Sequence, residues 1–260
     1  MVGFEGATED GTKYKGYNII VDVVKGRSDN VVMFGAHYDS IGVPGVDAKT
    51  PPSDATSTST PQFGSPGMND NASGVAALLS IAASNVGAKD RVKTLRLAFW
   101  DAEEQGLKGS RNYVESLSDA DKSTLSAYVN ADMLATKGGI VSIVDADKSG
   151  SATYDESAQS WAEDLTFSPE EVELEKQLRN AYPAGTEFLE SFDAVTGSDG
   201  NPFHLAGVPT TGIGTVSKDP KVYLAPCYHQ ACDDITNIDN DVLAKNEKAL
   251  NGLALTLTTS

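Results

Sequence analysis

The run Val31-Val32-Met33-Phe34-Gly35-Ala36 is apolar without alternation, the pattern of a strand covered on both faces rather than one that turns a side to water. A chain organised around such a strand needs a layer above it and a layer below. With 260 residues, 40% of them hydrophobic, there is enough material for that core. Further strands are read at Asn18 to Val24, Thr94 to Trp100, Leu125 to Ala131, Ile140 to Val144 and Val208 to Ile213. The first of these reads as a hairpin with Val31 to Ala36 through Lys25-Gly26-Arg27-Ser28-Asp29-Asn30.

Helical patterns fall between the strands. After Gly74, apolar residues at Val75, Leu78, Leu79, Ala82 and Ala83 follow a helical period, with Gly87 as the expected stop. Gly106 to Leu117 reads as a turn and a helix. Ser168-Pro169-Glu170-Glu171 is a capping box with proline at the first helical position, which predicts a helix over about 169–181. Leu243, Leu250, Leu253 and Leu257 mark a last helix within Asp241 to Leu257. No repeat and no dividing linker is visible. The expectation is one domain over 1–260: α/β, three-layer α/β/α, with a mixed, mostly parallel central sheet flanked by helices. Val46 to Pro66, rich in Pro, Ser, Thr and Asp, is expected as a flexible surface loop beside the site.

A net charge of −17 argues against nucleic acid or an anionic membrane surface as partners. It suits cationic ligands such as the α-ammonium group of a peptide, although acidity also serves solubility. No run is long and apolar enough to span a membrane. Met1 to Glu5 lacks the features of a signal peptide, which fits a cytoplasmic protein or a chain cut from a longer precursor. Cys227 and Cys232, the two cysteines, read as a disulfide and hence an oxidising compartment, against the alternative of two free thiols.

In such sheets ligands bind beyond the carboxyl ends of the strands, where His37, Glu103, Glu104 and Asp132 fall. Asp70, just ahead of a helix, would alone read as a cap. Together with His229 these residues form the inventory of a two-metal hydrolytic site. Asp39 lies two residues beyond His37, within reach of the ring nitrogen that a ligating imidazole leaves free. Glu103 and Glu104, adjacent on leaving a strand, point in different directions, so one can bind metal while the other serves as general base. Asp132 ends a buried strand, a costly place for an acid without a cation. His229 sits inside Cys227-Tyr228-His229-Gln230-Ala231-Cys232, with Tyr228 able to donate to an oxyanion. A structural zinc site begun by the cysteines lacks a fourth ligand at finger-like spacing.

In these motifs the chain resembles the secreted co-catalytic zinc aminopeptidases of the bacterial leucyl-aminopeptidase type. The matching pieces are His37-Tyr38-Asp39-Ser40, Gly67-Met68-Asn69-Asp70-Asn71-Ala72-Ser73-Gly74, Ala102-Glu103-Glu104-Gln105-Gly106-Leu107-Lys108-Gly109-Ser110, Asn130-Ala131-Asp132-Met133 and Cys227-Tyr228-His229-Gln230-Ala231-Cys232-Asp233, in order over roughly residues 17–258. The resemblance implies two Zn2+ ions bridged by Asp70, with a cis peptide bond to Asn71. His37 and Asp132 would complete one ion, Glu104 and His229 the other. Glu103 would be the general base acting on a zinc-bridging hydroxide, and Tyr228 would hold the tetrahedral intermediate. Asp39 would orient His37, and Met133 would border the pocket for the N-terminal side chain.

The implied protein is a secreted, monomeric metallo-aminopeptidase that releases large apolar N-terminal residues from peptides with a free N-terminus. A glutaminyl-cyclase-like zinc acyltransferase with one metal, or a catalytically dead binding protein of the same fold, are the alternatives. Departures from the family accompany the match. Gly197-Ser198-Asp199-Gly200 has glycine where family members often carry Arg and His, which affects contacts to the substrate backbone. The helices that usually precede the first strand are missing, and the loop at 46–66 is longer than usual. His204 is expected to pack or to lie at the surface. Independently, Asp145-x-Asp147-x-Ser149-Gly150-Ser151 with Glu156 matches the spacing of a Ca2+ loop, in competition with an acidic strand-to-helix turn.

Overall fold

The computed structural model describes residues 1–7, 13–41, 64–149, 166–191, 197–219, 222 and 224–260, with only the backbone of residues 7, 14 and 191. Its strands are β1 (Val2–Ala7), β2 (Lys13–Val24), β3 (Val31–His37), β4 (Thr94–Trp100), β5 (Leu125–Ala131), β6 (Ile140–Val144), β7 (Phe188–Ser191) and β8 (Thr210–Val216). They form an eight-stranded sheet in the order β1-β2-β4-β3-β5-β8-β6-β7. β3 pairs in parallel with β4 and with β5, β5 with β8, and β6 with β7. The β1/β2, β2/β4 and β6/β8 pairs are antiparallel. The expected mixed α/β architecture is therefore present, and every residue of β3 is buried.

The pleat sends alternate residues into two cores. Val32, Phe34 and Ala36 of β3 join Leu95 and Leu97 of β4 and Val129 of β5 on one face. That face is covered by α1 (Ser73–Asn85), α4 (Pro169–Asn180) and α6 (Asn240–Thr259), through Leu78, Ile81, Leu174, Leu178, Leu250 and Leu253. Met33, Ala98, Trp100 and Tyr128 face the opposite core with Tyr113 of α2 (Lys108–Ser116) and Phe203 of α5 (Gly200–Leu205). A short α3 (Asp119–Thr124) leads into β5. Ser168 and Glu171 form the predicted capping box of α4, with Pro169 in its first turn.

The expected hairpin is absent. β4 lies between β2 and β3, and the connection from β2 passes across its start. Gly26 N donates to Thr94 Oγ1 at 3.0 Å, and Thr94 N donates to Asn30 O at 2.9 Å. An added Cβ on Gly26 would lie 2.3 Å from the Lys93 carbonyl carbon, so only glycine passes there. The stripe on α1 is also rotated from expectation. Ala77, Leu78 and Ile81 are buried, whereas Leu79 is 56% exposed and Ala83 is exposed. Small residues set this phase, because a Cβ on Gly74 would lie 2.5 Å from Ala131 O. Gly87 takes a positive φ of 75° just past the helix, as its role of stop requires. β8 begins at Thr210 rather than Val208, whose amide is used by Phe203 O to close the turn after α5. Residues 46–63 of the expected flexible loop lie outside the described residues.

Candidate metal centre

Parallel pairing aligns the C-terminal ends of β3, β4 and β5, and each end carries a polar group. His37 is the last residue of β3, Asp132 follows β5, and Glu103 and Glu104 occupy the turn between β4 and α2. Asp70 precedes α1, and its peptide bond to Asn71 is cis. His229 lies in the loop closed by the Cys227–Cys232 disulfide, whose Cα atoms are 5.3 Å apart. Two groups of side chains at this place could each hold a metal ion: His37, Asp70 and Asp132, and Asp70, Glu104 and His229. Within each group the donor atoms lie within 4.8 Å of one another.

Asp70 belongs to both groups. Its Oδ1 is 3.1 Å from His37 Nε2 and its Oδ2 is 3.2 Å from His229 Nε2. His37 Nε2 is also 3.4 Å from Asp132 Oδ1, and His229 Nε2 is 3.1 Å from Glu104 Oε2. His37 Nε2, Glu104 Oε1 and Asp132 Oδ1 are buried and have no hydrogen-bond partner. Buried polar atoms are normally paired. Three unpaired ones within the two adjoining groups, offering imidazole nitrogen and carboxylate oxygen, fit the donor chemistry of zinc.

Neighbouring polar groups hold this arrangement. His37 Nδ1 contacts the backbone carbonyl of Asp39 at 3.1 Å and its carboxylate at 3.5 Å. The Asp39 carboxylate instead accepts the amides of Glu103 at 3.1 Å and Glu104 at 3.3 Å, so it ties the β4 turn to β3. Asp233 accepts the amides of Asn69 and Asp70. Side chains around Asp70 stitch its segment to the end of β5 and the turn that follows it. Asn71 Nδ2 donates to Ala131 O, Asn71 Oδ1 accepts from Met133 N, Asn69 Oδ1 from Ala135 N, and Ser73 Oγ from Leu134 N. Ser198 Oγ donates to Asp132 Oδ2 at 2.7 Å.

The site is strongly electronegative. Burial alone would strip the proton from His37, but Asp132, Asp39 and Asp70 raise its pKa well above the usual histidine range. Burial also opposes a charge on His229, yet Asp70 and Glu104 push it up to about 10. Burial would raise Asp70, whereas the two imidazoles hold it at about 2. Glu104 is raised by burial and by Asp70. Burial, joined by the Asp132, Asp199 and Glu104 carboxylates and opposed by His37, pushes Glu103 up to about 10. Asp199 rises to about 7, chiefly through burial.

A cavity of about 190 Å³ opens beside these groups, lined by Asp70, Glu103, Asp132 and His229 together with Met133, Ile213, Gly214, Thr215, Val216 and Leu224. Tyr228 also lines it and stacks on His229 with ring centroids 3.7 Å apart. Burial and the nearby carboxylates hold the Tyr228 phenol protonated by raising its pKa. Gly197 and Ser198 border the cavity, and Gly197 leaves that side without a side chain.

Some predicted residues lie elsewhere. His204 pairs with Glu171 at 2.7 Å, joining α5 to the first turn of α4, which is the packing role expected of it. Asp145 and Asp147 lie with Glu175 in a group that could hold a cation. Glu175, however, accepts from Ala146 N and Asp147 N and pairs with Arg179 at 2.7 Å. Gly150, Ser151 and Glu156 of the calcium-loop spacing lie outside the described residues. Sequence reasoning assigned no role to Asp233, although it closes the motif that carries His229. Nor did it give one to Asn69, or a hydrogen-bonding one to Asn71 and Ser73, whose polar side chains around Asp70 were the available signal.

The model of peptidase family M28 matches residues 18–254. An aminopeptidase of Pseudomonas aeruginosa is 30% identical over 251 residues, covering 92% of this chain and 40% of that protein. The chain spans less than half the length of the curated relatives it matches. Among solved structures, a zinc aminopeptidase from Bacillus subtilis superposes with a TM-score of 0.68 at 23% identity, over 96% of this chain and 51% of that one. A glutaminyl cyclase of Porphyromonas gingivalis does so with a TM-score of 0.71 at 21% identity, over 99% and 83%. At these identities the two superpositions describe a shared fold.

Proposed function

The chain belongs to peptidase family M28, and from that premise we propose that it is a metallo-aminopeptidase holding two zinc ions. The observation that carries the proposal is the position of Asp70, with one carboxylate oxygen 3.1 Å from His37 Nε2 and the other 3.2 Å from His229 Nε2. A carboxylate between two donor groups is the arrangement a pair of dications needs. His37, Asp70 and Asp132 would hold one zinc, and Asp70, Glu104 and His229 the other. Bound zinc supplies Lewis-acid polarisation of the scissile carbonyl and lowers the pKa of an attacking water.

The protein's own groups do the rest. Glu103 lines the cavity and takes a proton from the attacking water, then returns it to the departing amine. Its high pKa falls back toward the carboxylate range once positive charge faces it. Tyr228 keeps its proton and donates it as a hydrogen bond to the oxyanion that develops at the scissile carbonyl. The acidic wall of the cavity attracts the substrate's free α-ammonium group, which restricts cleavage to the first peptide bond. Met133, Ile213, Val216 and Leu224 give the N-terminal side chain apolar surroundings, favouring large apolar residues. The Cys227–Cys232 disulfide supports a secreted protein. The chain would act as a single catalytic domain.

The test is release of amine from a panel of aminoacyl amides, with zinc content measured before and after chelation. Turnover that follows two bound zinc ions and stops on chelation is expected. A single tightly held zinc, with cyclisation of N-terminal glutamine and no release of N-terminal residues, would replace this reading with the acyltransferase. Zinc-loaded protein inert on every substrate would point to a binding protein of the same fold.

A further inference from the structure

Asp132 presents its two oxygens to different neighbours. Oδ1 faces His37 and has no hydrogen-bond partner, while Oδ2 accepts from Ser198 Oγ at 2.7 Å. Behind Ser198 a run of hydrogen bonds leads away from the site into the core. Asn130 Nδ2 donates to Ser198 Oγ at 2.9 Å, Tyr128 OH donates to Asn130 Oδ1 at 3.0 Å, and Trp100 Nε1 donates to Tyr128 OH at 2.8 Å. Trp100 and Tyr128 are fully buried, and Asn130 is 1% exposed.

Every bond in this run points the same way, and its two ends leave no choice. An indole N–H can only donate, and an ionised carboxylate can only accept. Because Tyr128 accepts from Trp100, its single proton is free for Asn130 Oδ1. The Asn130 amide then presents its NH2 to Ser198, and the one Ser198 proton goes to Asp132. Hydrogen bonds aligned in this manner polarise and strengthen one another in a buried setting. The backbone makes room for the junction, since an added Cβ on Gly35 would lie 2.1 Å from Tyr128 OH and 2.5 Å from Trp100 Nε1.

We propose that Trp100 and Tyr128, buried in the aromatic core, are positioning residues for Asp132, fixing through Asn130 and Ser198 which of its oxygens is left for a metal ion. The inference rests on the two-zinc reading. Without the Tyr128 hydroxyl the Asn130 amide can turn over, Ser198 can give its proton to Asn130, and Asp132 is free to rotate.

Tyr128→Phe tests this, because the phenyl ring keeps the stacking on Phe203, whose centroid lies 3.8 Å away. Zinc affinity at the His37–Asp70–Asp132 group is expected to fall about 10- to 100-fold, the range for losing a group that orients a ligand. Affinity at the Asp70–Glu104–His229 group should stay as in the wild type. With cobalt in place of zinc, the visible absorption of the Asp132-containing site should change, and kcat should fall while KM holds. Wild-type zinc affinity at both groups and an unchanged cobalt spectrum would overturn the proposal.

If Tyr128→Phe does not fold, the wild type decides. The Trp100 indole resonance, identified by its loss in Trp100→Phe, is expected to shift as zinc is titrated into metal-free protein. An indole resonance indifferent to zinc overturns the proposal. Wild-type protein that binds zinc but releases no N-terminal residue would defeat the peptidase reading and leave this one standing, since affinity and spectra are its readouts. Wild-type protein that binds no zinc would overturn both.

Discussion

The carboxylate of Asp233 accepts the backbone amide hydrogen of Asp70 at 3.1 Å across a sequence separation of 163 residues. It also accepts from Asn69 N at 3.0 Å and Asn237 Nδ2 at 2.9 Å. The acid shared by both donor groups is thus itself held by an acid that offers no atom to a metal. Asp233→Ala would leave buried amides without an acceptor, at a cost of roughly 2–4 kcal/mol. It is expected to lower the urea midpoint and to reduce bound zinc. Asp233→Asn, which keeps one accepting oxygen, should retain more of both.

Glu103 and Glu104 are expected to separate cleanly on mutation. Glu103→Ala should lower kcat by about 10²- to 10⁴-fold, the usual contribution of a general base, with zinc content unchanged by elemental analysis. Glu104→Ala and Asp70→Ala should lose zinc and activity together. Zinc lost from Glu103→Ala but kept in Glu104→Ala would exchange the two roles.

Chelation should destabilise the protein, and the effect should depend on pH. In the metal-free chain Glu103 rises from 4.5 to about 10 and His229 from 6.5 to about 10. Both keep protons in the folded state that the unfolded chain gives up, so stability falls as pH rises through that window. Asp70, lowered from 3.8 to about 2, loses its contribution only in acid, well below it. The urea midpoint of chelated protein is therefore expected to drop between pH 6.5 and 10. Zinc at a hundredfold excess over its Kd should add about 2.7 kcal/mol per site. Because zinc competes with those protons, the gain should grow toward the alkaline end.

Opening the Cys227–Cys232 bridge should act mainly on the second donor group. Cys227 and His229 both take positive φ, 63° and 57°, without being glycine, and the disulfide closes the loop that keeps them there. For a loop this short the chain-entropy contribution is about 2 kcal/mol. Cys227→Ser/Cys232→Ser is expected to unfold at lower urea and to bind zinc more weakly at the His229 group, with the His37 group spared. Calorimetric titration of zinc separates the two, and equal weakening of both would contradict the assignment.

What the sequence made legible was local. An unbroken apolar run identified β3, largely apolar runs identified β4 and β5, and their ends located His37, the Glu103-Glu104 turn and Asp132. The capping box placed α4 because its chemistry is complete within a few residues. Elements whose composition answers to distant neighbours were not legible. β1 and the part of β2 before Asn18 carry glycines for packing, since a Cβ on Gly16 would lie 2.2 Å from the Phe4 ring. α5 starts on Gly200 and contains Pro202, so it shows little helical signal, yet it supplies Phe203 to the core beneath Trp100. The hairpin expectation failed because pattern identifies a strand without saying which later strand will lie beside it. The same blindness hid Asp233 and the run from Trp100 to Asp132.

The insertion of β4 between β2 and β3 has a consequence for how the molecule is made. A nascent chain emerging from the ribosome has synthesised β2 and β3 long before it reaches Trp100, and until then neither has the neighbour that joins them. The first donor group is complete in the polymer once Asp132 has been added, whereas the second waits until His229 has followed. Completion of the two donor groups is thereby ordered by the direction of synthesis itself.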